Sequence, residues 1–317
     1  MAKFREQELH TGPVTFMGAP HTLDFAGAKA AVLGVPFDCG IHPFRVGSRQ
    51  APRAIREQSM LVRPYNSELA DFNPVERLHL VDRGDVKLVP SRMLDAFERI
   101  EAAAGLIHDA GAIPVTMGGD GSVSLPLMRA AMRRHPGMVA VHIDSHTDTY
   151  DYAADEKYNA ATQFTHAAEE QLIVTSLSYH IGIRGTTYTH GVHATSRGFG
   201  YNLVTMRELM KRGFEAVLGE LHTRLAGRPV YLCFDMDVFD PSCAPGVCSP
   251  SWGGFSAREG IAFLQGLAGL DIVAVDVNTV SPPHDVNGMA AFLCAHVIYE
   301  CLVLLCRKLH IDQPMVG

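Results

Sequence analysis

Asp144, His146 and Asp148 stand two residues apart in HIDSHTDTYD, residues 142–151. In an extended segment alternate side chains point the same way, so the three converge on one side. Asp235 and Asp237 repeat the spacing in FDMD, and a further acid, Asp120, precedes Gly121 in MGGDGS. The four carboxylates of the first two motifs, gathered in a crevice of low dielectric, repel one another and raise their own pKa values. A divalent cation removes that conflict. Mixed imidazole and carboxylate donors suit Mn²⁺, Ni²⁺ or Zn²⁺ better than Ca²⁺. Two such ions bridged by a carboxylate supply hydroxide at neutral pH and stabilise a tetrahedral centre. Each spacing alone has a plainer reading, a turn-capping loop or an acidic strand end; together they point to metal.

The elements that must position these groups alternate in type. Short apolar runs rich in β-branched residues recur at 30–35, 78–82, 112–119, 138–144, 179–184, 229–237 and 271–278. Several lack polar alternation, as strands covered on both faces do. Helical segments fall between them. One is expected to start on an N-cap at Ser91 and stop at Gly111, and another carries Ser256 and Glu259 at capping-box spacing. The pattern predicts a three-layer α/β fold: a central, mainly parallel sheet with helices on both faces. No linker or repeat divides the chain, so residues 1–317 are expected to form one domain. In such sheets ligands sit beyond the carboxyl ends of the strands, where all three acidic clusters fall. Two irregular stretches, roughly 36–77 and 149–178, are expected to carry function or an interface.

Net charge is −7, and no block of Lys or Arg stands out. Nucleic acid is therefore a poor partner. The seven cysteines, at 39, 233, 243, 248, 294, 301 and 306, form no C-x-x-C pair, which predicts reduced thiols and a cytoplasmic protein. The opening residues have no apolar leader core, so no signal peptide is expected. The apolar run 289–306 is interrupted by His296 and Glu300 and is short for a membrane span. It reads as a buried helix, and no membrane partner is expected.

The motifs, in this order, resemble the ureohydrolase family of arginases, agmatinases and guanidino-acid hydrolases over about residues 30–309. GVPFD, RQAPRAIREQS, VDRGDV, HIDSHTDTYD, IGIRG, FDMDVFDPSCAPGVCSPSWGG and VSPPHD carry the resemblance. It implies an arginase-like fold, two Mn²⁺ or Ni²⁺ ions, and hydrolysis at a guanidinium carbon with an amine leaving. By position, Asp144, His146, Asp148, Asp235 and Asp237 correspond to five of the six metal ligands. Asp144 and Asp235 would bridge the ions, and Asp148 would also relay a proton. Trimers and hexamers are usual in the family.

The departures fall on functional positions. The family's sixth ligand is a His where this chain has Gly121. A proton-shuttling His is replaced by Ala160, and a Glu that grips the guanidinium is replaced by Thr279. The resemblance then implies a degenerate site, with Asp148 a vestigial relay and either no ion or one weakly held ion at Asp144, His146, Asp235 and Asp237. His142, two residues before Asp144, is expected to face the same side; His42, His166, His180, His190, His193 and His284 are expected in or near rim loops, each taken singly a surface or packing His before a ligand, with His284 the one to watch.

Three readings follow. In the first, the chain is a structural or regulatory subunit. Its partner is an active ureohydrolase subunit, as in the paired, nickel-dependent hydrolases of guanidines and biguanides such as metformin. The Arg-rich stretch FRVGSRQAPRAIR would pack between subunits or order its own loop. In the second, the chain is a stand-alone hydrolase with one metal and a pocket enlarged by the Gly, Ala and Thr replacements. In the third, it is a small-molecule binding protein without turnover.

Overall fold

Eight strands form one parallel sheet in the computed structural model, which describes residues 12–40, 44–154 and 156–313. They are β1 (Ala30–Val35), β2 (Val81–Asp85), β3 (Ile113–Gly118), β4 (Val139–Ile143), β5 (Tyr179–Ile183), β6 (Asn202–Thr205), β7 (Pro229–Asp235) and β8 (Asp271–Asn278). The spatial order is β2-β1-β3-β8-β7-β4-β5-β6, and every ladder is parallel.

The described helices between and after the strands are α1 (Ala51–Ser59), α2 (Pro74–Arg77), α3 (Met93–Asp109), α4 (Ser124–Arg134) and α5 (Gln163–Glu169), then α6 (Val192–Gly198), α7 (Met206–Arg212), α8 (Phe214–Arg224), α9 (Ala257–Gln265) and α10 (Met289–Lys308). Successive strand side chains point to opposite faces, and the strand sequences are apolar in both phases. Val139, Val141, Val230 and Leu232 therefore pack with α1, α7, α8, α9 and α10, while Ala140, Tyr231 and Cys233 pack with α3, α4 and α5. The two cores make the three layers expected.

The expected strands are all present, with one shift and one addition. The second begins at Val81 instead of 78, because α2 ends just before it and His79 takes a left-handed φ of 46°. β6, only four residues long at the sheet edge, went unrecognised. The expected N-cap at Ser91 is corrected: α3 starts at Met93 with Arg92 before it and no side-chain cap, since Arg92 N–H closes a turn onto the Val89 carbonyl at 2.9 Å. At α9 the capping box of Ser256 and Glu259 is formed in both directions. The apolar run near the C-terminus is α10, a helix long and apolar enough to cross a bilayer but mostly buried within the fold.

The two irregular stretches contain α1, α2 and α5. Three arginines of the first, Arg45, Arg49 and Arg56, bond within the chain. Arg45 donates to the carbonyls of Val247 and Pro245 at 2.6 and 3.0 Å. Arg49 pairs with Asp38, and Arg56 with Asp82 at 2.8 Å. These bonds favour the loop-ordering reading of FRVGSRQAPRAIR over subunit packing. The opening residues and His42 lie outside the described residues.

Candidate metal centre

β4 and β7 are neighbours in the sheet, and their carboxyl ends deliver the two acidic motifs to one place. The convergence does not come from strand alternation, because β4 stops at Ile143 and Asp148 has a left-handed φ of 51°. It comes from two matching turns. His146 N–H donates to Asp144 Oδ1 at 2.6 Å, and Asp237 N–H donates to Asp235 Oδ1 at 2.7 Å. Each aspartate thus holds the backbone two residues on, which brings the second side chain of each motif back beside the first. Asp120 makes a third such turn with Ser122 N–H, but its other oxygen accepts from the Cys39 and Gly40 N–H groups. That carboxylate anchors a loop and faces the cavity as a structural acid.

Asp144, Asp148, Asp235 and Asp237 are all buried, and His146 is partly so. His146 Nδ1 lies 3.0 Å from Asp237 Oδ2 and 3.4 Å from Asp144 Oδ1. Asp237 Oδ1 accepts from Ser145 N–H and Oγ at 3.1 and 2.7 Å. Behind the loop, Arg184 Nη2 donates to the carbonyls of Asp237 and Ser251 at 2.7 and 2.8 Å.

Burial pushes Asp148 and Asp235 well above the usual carboxylate range, with neighbouring carboxylates adding to the rise. Burial and Asp144 also raise Asp237. Asp144 moves the other way: burial opposes ionisation, but His142 and His146 hold it well below its usual value. His146 itself is raised well above an ordinary histidine, because Asp237 and Asp144 outweigh its burial.

Asp144, His146 and Asp237 each offer a donor atom, all within 4.8 Å of one another, with Asp235 one turn away. Asp144 Oδ2 is buried without a hydrogen-bonded partner. A mixed nitrogen and oxygen set with an orphaned buried carboxylate oxygen fits a divalent cation. His142, Asp144 and Asp148 form a second group of that kind. His142 Nε2 lies 2.8 Å from Asp144 Oδ2 but out of line for a hydrogen bond, so the face predicted for His142 is the one it takes. Its Nδ1 meets His180 Nδ1 at 2.8 Å.

The other predicted histidines do not reach the centre. His166 bonds the Lys157 carbonyl and Glu169, and His284 bonds Ser281 and the Phe44 carbonyl. Neither they nor His190 and His193 line the cavity above the acids.

That cavity has a volume of about 920 Å³. Asp148, Asp235, Asp237, His146, Ala160 and Thr279 line it, as do Asp151, Glu156, Tyr150 and Tyr158 on the rim. Gly121 does not line it. The space beside Gly121 is filled by Gln163, whose Nε2 donates to Asp148 Oδ2. The expectation that the glycine enlarges the pocket is therefore corrected; Ala160 and Thr279 are the replacements that border open space. Thr279 donates its hydroxyl to Asp235 Oδ1. Sequence reading missed Gln163, Arg184 and Tyr150. The first follows Thr162 in a loop with no spacing signal. The second stands in IGIRG, where its role is visible only once the loop of Asp237 folds over it.

The arginase family's sequence profile matches residues 28–304. The guanidinopropionase of Pseudomonas aeruginosa is 38% identical over 299 residues, 94% of this chain and 93% of that one. The solved proclavaminate amidino hydrolase of Streptomyces clavuligerus superposes with a TM-score of 0.89 at 32% identity, covering 94% of this chain and 98% of that one. A formiminoglutamase variant of Trypanosoma cruzi, solved with Mn²⁺, superposes with a TM-score of 0.80 at 25% identity, over 90% of this chain and 95% of that one.

Proposed function

The chain belongs to the arginase family, and from that premise we propose that it is the low-turnover subunit of a hetero-oligomeric hydrolase of guanidino or biguanide compounds, metformin-type substrates among them, whose partner is a family chain with a complete site. The supporting observation is the neutral set around Asp148 and Asp235: Gly121, Ala160 and Thr279 offer neither an imidazole nor an acid there.

A divalent cation, Mn²⁺ or Ni²⁺, at Asp144, His146, Asp235 and Asp237 would supply Lewis-acid charge and acidify water. The remaining chemistry belongs to the chain. Asp151 and Glu156 give the rim of the cavity a negative lining, which attracts a guanidinium cation. Tyr150 and Tyr158 also line the cavity. Arg184 fixes the Asp237 loop. One oxygen of Asp148 is occupied by the Gln163 amide, which limits its use as a proton relay. The Thr279 hydroxyl is directed at Asp235, so position 279 gives a guanidinium no charge-assisted contact.

Co-expression with a second arginase-family chain tests the proposal. The pair should co-purify and release urea or amine from a panel of guanidines and biguanides. The isolated chain should be at least about 100-fold slower, since losses around a metal site cost on that order. Equal turnover by the isolated chain would sink the subunit reading.

The grouping of Asp144, His146 and Asp237 favours a second reading, a stand-alone hydrolase with one ion. Activity in the isolated chain with one bound metal supports it. Thermal stabilisation by guanidines with no turnover, alone or paired, would instead mark a binding protein.

A further inference from the structure

By the family resemblance, residue 121 would complete a site with Asp144, Asp148 and Asp235, and a Cβ at 121 would lie 3.5 Å from Asp148 Oδ2. Two of these carboxylates already have protein donors. Asp148 Oδ2 accepts from Gln163 Nε2, and Asp235 Oδ1 accepts from Thr279 Oγ1. The Gln163 carboxamide also owns the space needed by a side chain at 121. A Cβ there would come within 2.6 Å of Gln163 Nε2 and 3.1 Å of the Ala160 carbonyl oxygen.

Gln163 is enclosed by its surroundings. It is 2% exposed and opens α5, and the next residue, Phe164, donates its N–H to the Asp148 carbonyl at 3.0 Å. Neither Gly121 nor Gln163 borders the cavity. In the observed orientation the amide N–H meets Asp148 Oδ2, and Oε1 is buried without a partner, an unmade bond that the contact with Asp148 offsets.

We propose that Gln163, with Thr279, takes the place of one of the two cations: the carboxamide and hydroxyl supply the positive ends that Asp148 and Asp235 would otherwise find in a metal, and the carboxamide closes that position to an ion. The change at 121 is then half of a pair, in which loss of the larger side chain admits Gln163. Restoring an imidazole at 121 alone cannot restore the position, because Gln163 still fills it. The inference concerns this chain's own residues and holds whether or not it works beside a partner.

The test reads metal stoichiometry in the purified full chain, by Mn²⁺ titration calorimetry and elemental analysis after gel filtration, and does not depend on activity. Wild type should hold no more than one Mn²⁺ per chain, and Gly121→His should not add a second. Gly121→His with Gln163→Ala should gain a second ion, bound at least about tenfold more tightly than any second ion in the single variant. If that pair fails to fold by circular dichroism, Gly121→His with Gln163→Ser leaves similar room and carries the same expectation. Two tightly held ions in wild type, a second ion in Gly121→His alone, or no second ion in a folded double variant would each overturn the proposal.

Discussion

Thr279 has a φ of 69°, a region a β-branched residue seldom occupies and one that costs about 1–3 kcal/mol. Three bonds hold it there. Its N–H donates to the Gly119 carbonyl at 2.8 Å, its carbonyl accepts from Cys248 N–H at 3.1 Å, and its hydroxyl donates to Asp235. Thr279→Val keeps the shape and the strained backbone but removes the hydroxyl. Urea unfolding of metal-free protein should show a loss of about 1–3 kcal/mol, the cost of stripping a donor from a buried acceptor. An unchanged midpoint would mean that the hydroxyl does not serve Asp235. At this scale the acids of the centre were legible, because spacing and residue type carry a ligand signal. Gln163 was not: a lone glutamine has no periodic signature, and its role exists only because the glycine at 121 leaves it room.

Among the elements, α3 carries a titrating group far from the centre. His108, in its last turn, is 6% exposed and packs edge-on to His135 at 5.3 Å. Burial, aided by the charge of His135, lowers its pKa from the ordinary 6.5 to about 4. The unfolded chain therefore binds more protons than the folded one between those values. Stability from this group is complete above pH 6.5 and drains away as pH falls toward 4, by up to about 3 kcal/mol. His108→Phe should flatten that part of the stability profile, measured by chemical unfolding at several pH values; a slope equal to wild type would refute the assignment. The sheet and its helices could be read from apolar runs and turns, and the α9 capping box from two residues. β6 escaped because four residues at a sheet edge give too short a pattern. The α3 start escaped because the backbone around Ser91 and Arg92 closes a separate turn first.

Across the whole molecule, Arg56 is the joint between distant parts of the chain. It lies on α1, pairs with buried Asp82 on β2 and reaches Asp85, while Asp82 also accepts from Phe16 N–H at 2.9 Å. Its side chain is 9% exposed and that of Asp82 is fully enclosed. Arg56→Met strands that carboxylate and should cost about 3–5 kcal/mol, read as a lower urea midpoint; a change under about 1 kcal/mol would show that the pair is incidental. The parallel sheet and its ligand-bearing edge were legible because both follow from strand–helix alternation. The use of the arginines was not, since a basic loop that folds back on its own carbonyls looks the same in sequence as one awaiting a partner.

At Gly119 a Cβ would overlap the carbonyl oxygen of Phe37, so the ends of β3 and β1 press backbone on backbone beneath the acids. Such a foundation tolerates almost no rebuilding. The walls above it, among the described residues of 150–162 and at 186–188, are turn and loop. Evolution can therefore reshape which molecules enter by editing those walls while the ground under them stays fixed, and a designer seeking a new guest for this chain should work there.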